Sequence, residues 1–442
     1  MENFVKVGYG IADITPETNL PLGGYGNAIH RISEEVRDPL KATCIAFTDP
    51  DNNTVLLFTT DMIRVAPHLA NRVRDVLCEE FSLPRENVQV ASTHTHSTPE
   101  VGQKDYPGMQ EFCDKYVAGL CTAARKAMAD RTPSIASVGF TPTERMNFIR
   151  HYKIADGSYA GANFGNWAPG VVGHASNNDS WVQVIKFDRI GACPVILCNF
   201  QTHPCYTGGV DKKVVSADYI GELRKYVQTM TGGKFAFFQG AAGNHNGISF
   251  YARETRTYDC EEYGKLLGGY VLRALEAPVQ VSSNKISLVH RELDLPMDHT
   301  ESAELVEKCE AIQKEWLEKA DRNYSNKQAR EIGLNSIYAV NGVLMRQTLP
   351  ESEKMDIYAF RVGDLGFVTA PYEMFGESGM FIKEKAPYAM TFVVSCANHA
   401  QAYLASDLAF SHGCYEVDTR RFPRGTAERL ANEFVDMLKE MK

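Results

Sequence analysis

Short apolar runs alternate with amphipathic stretches along most of this chain. Leu56–Thr60 predicts a strand, Ala66–Phe81 a helix, and Val88–Ser92 a second strand. Gln110–Ala129 carries Tyr116, Leu120 and Ala123 near helical spacing and predicts a long amphipathic helix. Val182–Phe187 and Val195–Phe200 read as a strand pair turning around Gly191. Asp218–Met230 reads as a helix, Phe235–Phe238 as a short buried strand, and Glu254–Leu275 as a further helix. Glu301–Ile332 predicts one long, highly charged helix with solvated faces. Tyr358–Val362 and Phe367–Thr369 flank Gly363-Asp364, a hairpin signal, and Gly425–Met441 predicts a closing helix.

Strands mixed with helices from end to end predict an α/β fold, with mixed sheets flanked by helices. No internal repeat or Pro/Ser-rich linker divides the sequence, so residues 1–442 are expected to form one continuous domain. A helical insertion is expected at about 298–335.

Composition narrows the partners. The net charge is −9 and no long basic run occurs, which argues against nucleic acid as a partner. No apolar run reaches the roughly 18 residues of a transmembrane segment. The start, Met1 to Gly10, lacks a secretory pattern. The expectation is a cytoplasmic protein, or an exported one whose signal has been removed. Eleven cysteines without a Cys-x-x-Cys favour a reducing compartment.

Candidate chemistry collects where strands end. Val88–Ser92 runs into Thr93-His94-Thr95-His96. If the strand persisted, period-two alternation would put both imidazoles on one face, able to share a metal. Val195–Phe200 runs into Gln201-Thr202-His203-Pro204, and Phe367–Ala370 into Pro371-Tyr372-Glu373. Phe392–Ser395 leads to Asn398, His399 and Tyr403. The fifth exit, after Phe238, is Gly-rich but lacks Gly-Lys-Ser/Thr, so it is no phosphate-binding P-loop. Ligands gather beyond strand carboxyl ends in open α/β sheets, and this set favours a metallohydrolase over a binding module.

In this order the motifs resemble the neutral/alkaline non-lysosomal ceramidase family, over its catalytic domain. Gly8-Tyr9-Gly10-Ile11-Ala12-Asp13-Ile14-Thr15 resembles its Gly-x-Gly-x-x-Asp-Ile-Thr opening, and Asp38-Pro39-Leu40-Lys41-Ala42 its Asp-Pro-Leu-x-Ala. Thr93-His94-Thr95-His96-Ser97, Thr202-His203-Pro204, Ser216-Ala217-Asp218-Tyr219-Ile220-Gly221 and Pro371-Tyr372-Glu373 follow in the family's order. The resemblance implies a Zn2+ ion held by His94, His203, Glu373 and Tyr403, acting on an amide with activated water. It makes His96 a contact to substrate or developing oxyanion, with Tyr415 beside it in a similar role. Asp218 would support the site from behind, or cap a helix, and His399 is a weaker candidate for such support.

The chain also departs from the family. Gly243-Asn244-His245-Asn246-Gly247 stands where the family has Gly-Asp-x-Ser-Pro-Asn, so Asn246 replaces its serine and can offer only a hydrogen bond. Arg150, in Asn147-Phe148-Ile149-Arg150, loosely echoes the family's Asn-Arg segment and is the candidate substrate contact. The family's C-terminal β-domain is not expected here. The implied substrate is an amide, either lipid-like or a small polar or carbohydrate-derived compound. Two other readings compete. One is a different His-x-His metallohydrolase, but Ser97-Thr98-Pro99 breaks the metallo-β-lactamase pattern, and no His-x-His follows Ile11–Thr15 as an amidohydrolase barrel requires. The other is a non-catalytic binding protein that keeps the fold.

Overall fold

A computed structural model describes residues 4–26, 28–161, 170–209, 211–249, 251, 258–319, 321–334, 336–399 and 402–442. Its main sheet has nine strands. Eight lie in the order Lys234–Gln239, Val195–Phe200, Trp181–Arg189, Thr132–Pro142, Lys6–Asp13, Lys41–Thr48, Thr54–Thr60, Val88–Ser92, and Val279–Val281 pairs beside Thr132–Pro142. A second sheet has the order Ile286–Pro296, Ser352–Val362, Leu365–Thr369, Met390–Val394. One apolar core lies between the sheets, where Phe47, Phe187 and Phe238 of the first meet Phe360, Phe367 and Phe392 of the second. Helices cover both outer faces. Pro67–Phe81 and Met109–Ala129 pack on one half of the large sheet, and Tyr219–Thr231 and Cys260–Ala274 on the other. Gly376–Lys385 and Thr426–Glu440 cover the small sheet. This is the expected mixed α/β architecture.

The chain reaches it by running one path three times. Each time two antiparallel pairings join three strands, a helix crosses over to a fourth strand parallel to the third, and another helix follows. The three units start at Lys6, Thr132 and Ile286. No repeat is visible in the sequence, because most positions ask only for apolar bulk or a turn. A shared packing device links the first two units. A Cβ on Gly8 or Gly10 would lie 1.9 Å from the carbonyl oxygen of Ala127 or Ala123, so the bare strand lets the helix Met109–Ala129 lie directly on it. Gly139 does the same beneath Ala274 in the second unit. The opening glycines are therefore a packing surface.

Most expected elements stand within a few residues of their bounds. The helices stop and start for local reasons. Pro67 opens the first, and Ser82 closes it with a left-handed φ of 51°. Asp218 and Asp259 cap Tyr219–Thr231 and Cys260–Ala274, each accepting a backbone N–H. The helix expected from Glu254 starts at Cys260, and residues 252–257 lie outside the described residues. The long charged helix is divided. Ala303–Lys319 and Arg322–Glu331 are separate, because Asp321 accepts the Tyr324 N–H and starts a new helix. A third helix, Ile337–Arg346, folds back on the first, so this excursion extends beyond 335 and holds its own small core around Ile312, Val340 and Val343. Among the described residues no helix is long and apolar enough to cross a membrane.

Replacing Gly8 with Ala should cost more than about 2 kcal/mol by forcing the helix backbone off the strand. Urea unfolding checks this, and a loss under about 0.5 kcal/mol, the range of an unconstrained surface change, would contradict the packing.

Candidate metal centre

The three units aim their strand exits at one point. His94 follows the fourth strand of the first unit, His203 the third strand of the second, and Glu373 the third strand of the third. Glu373 Oε2 lies 3.1 Å from His94 Nε2 and 3.1 Å from His203 Nε2. His96 Nε2 lies 3.3 Å from His94 Nε2. All three histidines are buried and present ring nitrogens within 4.8 Å of one another.

The two imidazoles do not converge by strand alternation. The strand ends at Ser92, and His94 adopts a left-handed φ of 67° that turns the chain back. Neighbouring hydrogen bonds hold that turn. His94 N–H donates to Met62 O, Thr93 N–H to Thr60 O, and His96 N–H to Pro204 O beside His203. Arg31, buried and absent from the expected set, fastens three segments at once. Its guanidinium donates to the carbonyls of Gly23 (2.9 Å), His96 (3.1 Å) and Lys212 (3.0 Å). A lone Arg in an unpatterned stretch gives no signal of this in sequence.

Hydrogen bonds separate the roles of the three rings. His94 Nδ1 sits 2.8 Å from Ile63 O, and His203 Nδ1 3.0 Å from His245 O. A carbonyl only accepts, so each Nδ1 carries a proton and each Nε2 is the nitrogen that faces the cluster. Nothing fixes His96 in this way, for its buried Nδ1 has no hydrogen-bond partner. Burial, then the neighbouring His94 and His203, push its pKa well below the usual histidine value, so the ring is neutral. Burial would raise the Glu373 pKa, but His94 and His203 outweigh it and hold the carboxyl well below the usual range. Burial would lower the His94 pKa, but Glu373 and then Cys396 outweigh it and hold it well above the usual histidine value. Its Nε2 thus faces the carboxylate through a proton, a place that a metal cation can take. Two fixed imidazoles and a carboxylate are a donor set that suits a divalent transition metal, zinc among them.

Tyr403 joins through a short parallel pairing that sets it directly beside Glu373. The Arg150 guanidinium lies over its ring at 5.3 Å, and the Tyr415 ring packs against it at 5.8 Å. Arg150 also sits 3.5 Å from His203 Nε2 and donates weakly to Asn246 Oδ1 at 3.5 Å. Asn246 thus touches the site through Arg150. A buried carboxylate that the sequence did not reveal holds Arg150. Glu416 Oε1 is 2.5 Å from Arg150 Nη2, and its Oε2 is 2.8 Å from His151 Nε2. With Cys414 this makes a second group of potential ligands, but the Glu416 carboxylate already serves the guanidinium.

Other expected residues stand further back. Asp218 caps its helix and also accepts from the Thr207 N–H and hydroxyl, both at 2.7 Å, so it anchors the loop that follows His203. His245 is structural. Its Nε2 accepts the Asp179 N–H at 3.2 Å, and burial pushes its pKa down to about 3. Asn398 binds Arg74 and Val90 N–H, joining the third unit to the first. The charged neighbours of His399 are Glu353, Arg421 and Asp356, none of them in the cluster.

A cavity of about 740 Å3 opens over the cluster, lined by His94, His96, Glu373, Tyr403 and Tyr415 among others. That volume lies in the range of small-molecule sites. Two solved structures share the architecture. One is a neutral ceramidase from Pseudomonas aeruginosa, with a TM-score of 0.75 and 16% identity over 99% of this chain and 74% of that one. The other is a ceramidase complexed with C2, with a TM-score of 0.73 and 16% identity over 99% and 75%. The fold is ceramidase-like. No family model and no curated protein matches the sequence.

Replacing Glu416 with Gln should destabilise the protein by about 3–5 kcal/mol at neutral pH, since it leaves a buried guanidinium unpaired. Burial alone would raise the Glu416 pKa, but Arg150 and His151 hold it far below the ordinary range. Its stabilisation is therefore complete above the unfolded value of about 4.3 and is lost as pH falls from there through the folded value. Urea unfolding from pH 7 to 3 should show a shallower acid-side loss in E416Q than in the parent. Parallel curves would refute the assignment.

Proposed function

We propose that this protein is a divergent member of the neutral ceramidase family and a zinc-dependent hydrolase that cleaves an amide bond. One observation carries the reading: two imidazoles with fixed tautomers and an ionised carboxylate converge beneath a cavity of small-molecule size. The motif resemblance and the shared fold support it independently.

His94, His203 and Glu373 would hold the zinc, with Tyr403 as fourth ligand. Bound there, the metal supplies Lewis acidity that polarises the scissile carbonyl and activates water. The third imidazole, His96, has the properties of a proton carrier: buried, neutral, beside the cluster, and with neither nitrogen fixed by a carbonyl. As the water oxygen bonds to the acyl carbon, His96 takes the released proton. It returns that proton to the departing nitrogen as the C–N bond breaks, leaving a carboxylic acid and an amine. Tyr415, in the cavity wall, faces the carbonyl oxygen as a donor while negative charge collects on it. Arg150, buried behind the Tyr403 ring, adds its positive charge from beneath. Arg150 keeps its charge throughout because Glu416 is fixed against it.

Asn246 in place of the family's serine favours a second reading, a binding protein that keeps the metal but performs no chemistry. Metal analysis and kinetics separate the two. Purified protein should hold one zinc per chain, and a His94→Ala, His203→Ala double variant should lose it. Protein that binds no metal under any loading condition would refute both readings. In the enzyme, His96→Ala should retain zinc while kcat falls about 100-fold or more. Loss of zinc in that variant would make His96 a ligand instead, and zinc-loaded parent protein inert on every amide would leave the binding protein.

A further inference from the structure

The walls of the cavity carry chemistry that the metal does not use. Arg64 follows Ile63, whose carbonyl fixes His94, and Glu100 lies four residues past His96. Arg64 Nη2 and Glu100 Oε2 pair at 2.7 Å, and both line the cavity with Gln103 and Arg421. A close-fitting backbone turn fixes Glu100. A Cβ on Gly23 would lie 2.9 Å from Glu100 Oε2, and one on Gly24 2.6 Å from the His96 ring. The Gly102 N–H donates to Glu100 Oε1 at 3.2 Å. The pair therefore stands on the same wall as His96, within one small molecule's reach of the cluster.

A guanidinium only donates and an ionised carboxylate only accepts. Set side by side, they select a ligand group able to do both. A carboxylate on the ligand would meet Glu100 and an ammonium would meet Arg64, each at a like charge. A hydroxyl accepts from one and donates to the other, and neighbouring hydroxyls can use both. The described lining also offers few purely apolar side chains, namely Ala28, Ile29, Ile63 and Ala402. An alkyl chain gains from burial only where an apolar wall receives its methylenes. Four short side chains do not line a channel for a long one.

We infer that the substrate is a compact, polyhydroxylated N-acyl amine of the amino-sugar class, held through its hydroxyls by Glu100 and Arg64. This inference rests on the hydrolase reading for the bond that is cleaved. The short acyl group lies toward the metal centre, and hydrolysis releases a small carboxylic acid and a free amino sugar.

Zinc-loaded full-length protein should release amine from N-acetylglucosamine faster than from an N-acyl sphingoid base. Arg64→Ala should raise KM for N-acetylglucosamine about tenfold, the worth of a charged hydrogen bond, with the loss falling in KM rather than kcat. Activity that grows with acyl-chain length, with N-acetylglucosamine inert, would overturn the substrate class and leave the hydrolase reading intact. So would an Arg64→Ala variant whose KM is unchanged. If zinc-loaded protein cleaves neither compound nor the activated amide 4-nitroacetanilide, the hydrolase reading fails. Calorimetric titration with N-acetylglucosamine then decides the class: saturable binding weakened by Arg64→Ala supports it, and absence of binding overturns it.

Discussion

A carboxylate largely withdrawn from water is costly without partners, and Glu373 finds its partners in two other units of the fold. His94 comes from the first unit, His203 from the second, and the carboxylate from the third. Three strand exits, far apart in the chain, must therefore be held to within about half an ångström. Much of the surrounding polar structure serves that requirement. Asn398 joins the end of the third unit to the last strand of the first, and Arg224 of the second unit pairs with buried Asp61 of the first. Neither contact touches the cluster, yet both fix the angle at which a strand exit enters it.

Backbone carbonyls do the finer positioning. Ile63 O and His245 O each fix one imidazole, and in doing so choose which nitrogen faces the centre. Two buried arginines extend the same logic. Arg31 gathers three carbonyls beneath the wall of the cavity, while Arg150 is held by Glu416 over the Tyr403 ring. Guanidinium suits these places because it stays charged when buried and offers five donors in one plane. An exchange for Lys would keep the charge and lose the geometry.

Much of the fold was legible because apolar periodicity reports which face of an element is buried. The strands Val88–Ser92 and Val195–Phe200 and the helices over 67–81, 109–129 and 426–440 are of this kind. Lys6–Asp13 and Thr132–Pro142 were not, since their glycines and polar positions follow from helices laid upon them. The division at Asp321 was hidden because its cap is one short side chain in a charged stretch. The threefold path was hidden too, for topology repeats here while few residues have to repeat, the strand glycines beneath the helices among them.

For the site, sequence alone determined the kinds of atom available. Imidazoles after two strands and a carboxylate after a third follow from local pattern and motif order. The tertiary structure decided where they meet and how each acts. His94 turns back through a left-handed residue that alternation could not foresee. His245 and Asn398, chemically as eligible as their neighbours, become supports because their polar atoms meet backbone and amide groups outside the cluster. Glu416, Arg31 and the Arg64–Glu100 pair acquire their roles from partners up to 266 residues away. A ligand's identity is local chemistry, but its tautomer, charge and direction are set by groups that only folding brings near.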